Sequence, residues 1–311
     1  MILSIVTINY NNAEGLRRTL TSVAEQTYRD IEHVIVDAAS TDSSVDIINE
    51  YADKADYPVQ WISEKDKGVY NGMNKGIEIV LGRRVVNALN RSELVEDKNI
   101  GIQRSTGDYI QILNSGDLLA SPDVTERMVN QLLTLNSSLL AENRTAILYG
   151  NMLKSNDGKK IITRDTCEGV SAIDSFLYFY RGTLNHDSAY IRRDLFEIYG
   201  LYNEEMKICS DWEWYVKAIA LGGEKAVYTN IDVTIFDMNG VSESGGKNAE
   251  LIRIERRAYL EKILPASILH DYDNYAFPIV QYQRLKKHHL WPLVHFMERI
   301  LFKLEKWRIL R

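Results

Sequence analysis

The run DYIQILNSGD, Asp108 to Asp117, joins a buried strand to a carboxylate. Tyr109, Ile110, Ile112 and Leu113 supply β-branched and aromatic bulk. Asn114, Ser115 and Gly116 suit a turn. A turn does not need the Asp117 carboxylate, so that side chain requires a partner beyond the end of the strand. Other strand-like runs end the same way. Asn9 to Asn12 follow Ile2–Ile8, Asp37 follows the apolar run His33–Val36, and Glu64 to Lys67 follow Val59–Ser63. Ligands of open α/β sheets sit outside the carboxyl ends of the strands. These polar clusters therefore mark one rim as a binding site.

The elements between them must hold that rim together. Leu16, Leu20 and Val23 recur at helical spacing after the first strand. Ser43 and Asp46 resemble a capping box that opens a helix through Val45, Ile48 and Tyr51. Ser121-Pro122-Asp123 starts a helix through Met128, Leu132 and Leu133. Strands alternating with helices predict an α/β fold with a doubly wound, mostly parallel sheet flanked by helices. Past Ile147 the order is less regular: Leu148–Leu153 and Asp187–Ile191 read as strands and Ser210–Leu221 as a helix.

Composition narrows the class. Hydrophobic residues make up 45% of the 311 and charged residues 26%, an ordinary globular balance. A net charge of -6 excludes a broad basic face for nucleic acid. Cys167 and Cys209 fit neither a disulfide framework nor a zinc spacing, which predicts a reducing, cytoplasmic setting. The start MILSIVTINYNN does not read as a signal peptide, and no window reaches the ~18 apolar residues of a membrane span.

The motifs SIVTINYNN, VIVDAASTD, SEKDKGVYNGMNKGI, GDYIQILNSGD and SDWEWY, in that order, resemble a family-2 glycosyltransferase of the GT-A fold, over roughly residues 2 to 245. The resemblance implies inverting transfer of a sugar from a nucleotide-diphosphate donor, a UDP-sugar first among the choices, usually with Mg2+ or Mn2+. The family carries two acids where this chain has NSGD, so Asp117 stands alone as the implied metal ligand. One carboxylate suffices where a diphosphate supplies most of the other oxygens. Implied donor contacts are Thr7, Asn9, Tyr10, Asp37, Asp66, Lys67, Tyr70, Asn74, Asn114, Ser115, Gly116 and Asp117.

The resemblance also implies a general base at Asp211 in SDWEWY, with Glu213 as the competing carboxylate. Two positions apart on a helix they point about 200° apart, so they cannot share the task. His186, Trp212, Trp214 and Lys247 are candidates for acceptor contacts or for a closing loop. Each has a plain structural reading beside it, as a core or surface residue.

Two segments fall outside the pattern. Asn74-Lys75-Gly76-Ile77 and Gly82 are echoed by Asn99-Ile100-Gly101-Ile102 and Gly107, so residues 78–102 read as a helical insertion in a domain spanning 1–265. Residues 266–311 read as a basic, amphipathic helical extension able to lie on an anionic membrane. With it, the family habit suggests a saccharide or polyprenyl-linked acceptor at the inner membrane face, in cell-surface polysaccharide synthesis. The rival readings are a nucleotide-sugar-binding protein with impaired catalysis and a nucleotidyltransferase. NYNNAEG lacks the basic loop the latter wants.

Overall fold

The computed structural model describes residues 1–84, 86, 108–137, 144–156, 158–166, 176–238 and 246–309. It begins with β1 (Leu3–Asn9), α1 (Ala13–Ala24), β2 (Ile31–Asp37), α2 (Ser44–Lys54), β3 (Val59–Ser63) and α3 (Val69–Val80). Next come β4 (Tyr109–Ile112), β5 (Leu118–Leu119), α4 (Val124–Asn136), β6 (Ile147–Ser155), β7 (Ile161–Asp165) and α5 (Phe176–Arg181). Then follow β8 (Ala189–Arg192), α6 (Leu195–Ile198) and α7 (Ser210–Tyr215), which runs on into a π-helical turn, Val216–Leu221. The chain continues with β9 (Ala226–Asp237), α8 (Gly246–Ile263), α9 (Ala266–Lys287) and α10 (Trp291–Ile309).

Among the described residues nine strands form one sheet in the order β3-β2-β1-β4-β8-β6-β9-β5, with β7 also paired to β6. β3, β2, β1 and β4 are parallel. β8 runs against both β4 and β6, so β6 and its parallel neighbour β9 share the direction of the first four strands. The expected mostly parallel α/β sheet is therefore the fold found. Its co-directional strands bring their carboxyl ends to one rim.

Period-2 alternation assigns each side chain of β1 and β2 to a layer. Ile5 lies opposite His33 and Thr7 opposite Ile35, while Val6 lies opposite Val34 and Ile8 opposite Val36. The first set faces α1 and α2, where Ile35 packs with Leu16, Leu20, Ile47 and Ile48. The second faces α3. A Cβ on Gly76 would come within 2.3 Å of Val6 Cγ1, so only glycine lets α3 settle this closely on the sheet. A second cluster joins Leu3, Ile5 and Tyr109 to Met128 and Leu132 of α4.

Local details differ from the sequence reading. Ser43 makes no side-chain cap on α2. Asp42 does the work instead, accepting from Ser44 N at 3.0 Å and from Ala13 N at 2.9 Å, and so ties the starts of α1 and α2 together. β8 begins later than expected because His186–Ser188 tighten into a 3-10 turn. Of the supposed insertion, residues 78–80 complete α3, with Ile79 and Val80 buried. Its remainder lies outside the described residues except for 81–84 and 86.

The chain divides into two compact units, Met1–Arg256 and Arg257–Arg311. Within the second, Arg257 pairs with Glu261 and Asp273, and Trp291 stacks edge-on against Tyr282. Helix α10 exposes Leu293, Phe296, Met297, Ile300, Leu301 and Phe302. Among the described residues no helix is long and apolar enough to cross a membrane.

Candidate active site

The rim collects Asn9 from β1, Asp37 from β2, the Asn114–Asp117 turn after β4, His186 and Asp187 ahead of β8, and Asp237 from β9. The antiparallel β8 contributes from its start, because its start lies level with the ends of its neighbours.

The first part of the rim is a closed knot. Asp37 Oδ1 accepts from Asn9 Nδ2 at 2.8 Å and Ser40 Oγ at 2.6 Å. Its Oδ2 accepts from Ser40 N at 2.9 Å and Ser63 Oγ at 2.7 Å. A carboxylate offers about four lone-pair sites, and all are taken. The Asn9 and Asp37 side chains, expected at the donor, thus brace the loops after β1, β2 and β3, while Asn9 Oδ1 stays buried without a partner. Thr7 is buried as well. The strand pleat turns it inward, where its hydroxyl meets His33 Nε2 at 2.9 Å, and burial holds that imidazole down at about 3 and hence neutral. Tyr10 stands clear, 67% exposed at the end of β1, with an open ring face.

The third cluster splits in the same way. Asp66 receives the Gly68 N–H at 3.0 Å, and the Lys67 side chain is exposed. Asn74 is buried and fully used: it donates to Tyr202 O and Glu204 Oε1, both at 2.9 Å, and accepts from Tyr202 N at 2.9 Å. Tyr70 is also buried, with its hydroxyl 2.5 Å from Ile208 O and 3.0 Å from Asp211 Oδ1. Both side chains, expected at the donor, lock α3 to the 202–211 segment.

The turn after β4 is built around Gly116, whose φ of 110° suits glycine. Its N–H donates to Thr19 Oγ1 at 2.9 Å, and Ser115 accepts from Asn12 Nδ2 at 3.0 Å through its carbonyl. Asp117 is only 4% exposed and accepts the Asp237 N–H on Oδ1 at 2.9 Å. Burial first, and then the nearby Asp187, push its carboxyl well above the usual carboxylate range. Among the described residues Asp117 makes no salt bridge, and no three His, Cys, Asp or Glu side chains are grouped to hold a metal alone. A buried carboxylate that makes no salt bridge fits a divalent cation whose other ligands are diphosphate oxygens and water.

Asp211 lies across from this turn at the start of α7. Its Oδ2 is 3.4 Å from His186 Nδ1, and its Oδ1 takes the Tyr70 hydroxyl. Burial alone would raise its pKa, but the His186 hydrogen bond and charge outweigh burial and hold Asp211 below the carboxylate range. The converse holds for His186. Burial opposes its charge, yet Asp211, Asp187 and Asp117 lift it to about 9. Asn114 Nδ2 lies 3.2 Å from His186 Nε2 and its Oδ1 is buried without a partner; an imidazolium has no acceptor, so the charged ring would call for the amide turned oxygen-first. Asn114, His186, Asp211 and Tyr70 thus form one hydrogen-bonded row.

Glu213 points away, as the helical offset requires. It is buried against Lys217 Nζ at 2.5 Å and Asn203 Nδ2 at 2.9 Å. Trp212 and Trp214 are core residues, correcting their assignment to an acceptor. Their indole N–H groups donate to Phe179 O at 2.7 Å and Gly200 O at 2.8 Å, and both side chains are buried. The Lys247 side chain and the preceding 239–245 segment lie outside the described residues. Sequence reasoning missed Asp187 as a neighbour of Asp117, and Asp237 with its partner Arg18 at 2.8 Å. No local signal marks them, since they reach the rim through long-range pairing of β8 and β9.

Residues 4–89 match the family model described as Glycosyl transferase family 2. Over that segment the chain is similar to the family-2 glycosyl transferases. A PGL/p-HBAD biosynthesis glycosyltransferase of Mycobacterium bovis is 23% identical over 240 residues, covering 77% of this chain and 78% of that protein. The structure of S. aureus TarS 1-349 in complex with UDP-GlcNAc aligns with a TM-score of 0.56 at 17% identity, covering 86% of this chain and 69% of that one. The mannosyltransferase PcManGT from Pyrobaculum calidifontis, in complex with GDP-Man and Mn2+, aligns with a TM-score of 0.50 at 16% identity. That match covers 76% of this chain and 56% of PcManGT, so the chain spans little more than half of that protein. The family-2 match ends before β4, so Asp117, His186 and Asp211 lie outside the matched segment.

Proposed function

We propose that this family-2 relative transfers a sugar, with inversion, from a nucleotide-diphosphate donor to an acceptor hydroxyl. The supporting observation is the Asp211 carboxylate, ionised and oriented by His186 and Tyr70, and linked through His186 to Asn114 of the turn that carries Asp117. Asp211 takes the proton of the acceptor hydroxyl as that oxygen attacks the anomeric carbon. The bond from that carbon to the diphosphate breaks, and its electron pair leaves on the phosphate oxygen. Tyr10 offers its exposed ring to the base, and Asn114 and the Ser115–Gly116 turn border the diphosphate. Asp117 is the residue that would hold a Mg2+ or Mn2+, which when bound stabilises the charge of the leaving diphosphate.

The acceptor we infer is a saccharide or a polyprenyl-linked sugar in cell-surface polysaccharide synthesis, met at an anionic membrane face. The exposed apolar residues of α10, interleaved with Arg299 and Lys303, support that location.

Thermal shifts with UDP-GlcNAc, GDP-mannose and other nucleotide sugars, with and without Mn2+, test the donor class. Asp211→Asn should abolish transfer and leave donor affinity within about threefold, because the base acts on the acceptor. Near-normal turnover in that variant rejects Asp211 as the base.

A further inference from the structure

Helix α8 grips the segment that carries Asp211. The Glu255 carboxylate accepts three consecutive backbone N–H groups: Lys207 N at 2.7 Å on Oε1, then Ile208 N at 3.1 Å and Cys209 N at 3.0 Å on Oε2. Charge-assisted bonds of this kind are stronger than neutral ones. Ile252 lies three residues before Glu255 and four before Arg256, which makes it a face neighbour of both. The Cys209 thiol lies 3.8 Å from Ile252 O, and the Arg256 guanidinium sits 5.0 Å over the Trp212 ring. The same peptides are held from the opposite side by α3, where the Tyr70 hydroxyl reaches both Ile208 O and Asp211 Oδ1.

We propose that Glu255 is a positioning residue for the base, and that the Ile252–Glu255–Arg256 face of α8 sets where the Asp211 carboxylate stands relative to the acceptor hydroxyl. The proposal rests on the reading of Asp211 as base. Glu255 touches no substrate. It acts by fixing the Lys207–Cys209 peptides, so that α7 begins with Asp211 between His186 and Tyr70. Displacing a base by about 1 Å can cost on the order of 100-fold in rate. Donor contacts lie on β1, β4 and the loops beside them, so they should not feel the change.

Glu255→Gln is the informative variant. It keeps the size of the side chain but presents an NH2 where at least one N–H group needs an acceptor. The expected result is a loss of kcat of about 10- to 100-fold, read as nucleoside diphosphate release, with donor KM within about twofold. In a Cys167→Ser background, Cys209 should also react faster with a thiol reagent below the melting temperature, because the loosened segment uncovers it. Glu255→Asp, which keeps the charge but reaches less far, should fall between the two and guards against a folding failure of the first variant. Unchanged kcat with Cys209 still protected overturns the proposal. So does a fall in kcat matched by equal losses of donor affinity and melting temperature. Asp211→Asn measured alongside separates the two readings. Turnover retained there rejects the base assignment, whereas turnover lost there but kept in Glu255→Gln rejects only the clamp.

Discussion

The Tyr70 hydroxyl lies 3.0 Å from the Asp211 carboxylate across a sequence separation of 141 residues. One hydroxyl proton serves two acceptors, the carboxylate and the Ile208 carbonyl at 2.5 Å. It therefore ties the orientation of a side chain to the backbone that carries it.

Removing that hydroxyl should uncouple them. Tyr70→Phe should cost about 1–3 kcal/mol of stability, since the Ile208 carbonyl is left without this donor in a buried place. The kcat for transfer should fall about tenfold with donor KM little changed. Steady-state kinetics beside a denaturant titration measure both, and an altered KM with normal kcat would contradict the orientation role.

Asp117→Asn should stabilise the free protein and weaken it as a catalyst. The folded-state pKa of Asp117 lies above its unfolded value, so the folded chain holds a proton that the unfolded chain releases. Folding stability therefore drops as pH climbs past the ordinary carboxylate range. The melting temperature of the variant should exceed that of the wild type at pH 7 and converge with it toward pH 4. Calorimetry with UDP, with and without Mn2+, should show the metal-dependent gain in affinity shrinking in the variant. A wild type that binds UDP equally with and without Mn2+ would remove the metal role.

His186 titrates in the other sense. Its pKa of about 9 exceeds the unfolded value, so its pairing with Asp211 stabilises the fold fully below the unfolded value. That stability is lost as pH rises through about 9. Comparing wild type with His186→Ala by thermal melting from pH 6 to 10, the difference should be largest at the acid end, shrink as pH rises toward 9 and be gone above it. A difference that grows with pH would reverse the assigned charge state.

Truncation before Arg284 should reduce binding to anionic vesicles, and added salt should do the same to the intact chain. Basic residues at such a surface contribute about 1 kcal/mol each. Co-sedimentation with vesicles with and without phosphatidylserine reads this directly. Equal binding by the truncated and full chains would place the membrane contact elsewhere.

Much of the sheet was legible from local chemistry. Alternation and β-branched runs gave β1 to β4, whereas Gly76, read only as part of a sequence echo, proved to be where α3 presses on β1. The turn at Asn114–Gly116 announced itself, because a buried strand must end in residues that accept its geometry. The tertiary structure decided which polar residues face out. Thr7, Asn9, Asp37, Tyr70 and Asn74 sit in or beside motifs at strand ends, yet the pleat and the loop packing turn them inward. Most of their hydrogen-bonding capacity is used within the fold, although Asn9 Oδ1 stays without a partner. Asp187, Asp237 and Glu255 sit in stretches with no distinguishing pattern, and only antiparallel β8, long β9 and the face of α8 bring them to the site. Local periodicity records how a segment meets the sheet. It carries no information about which distant segment arrives beside it, because that contact is set by the summed packing of the whole chain.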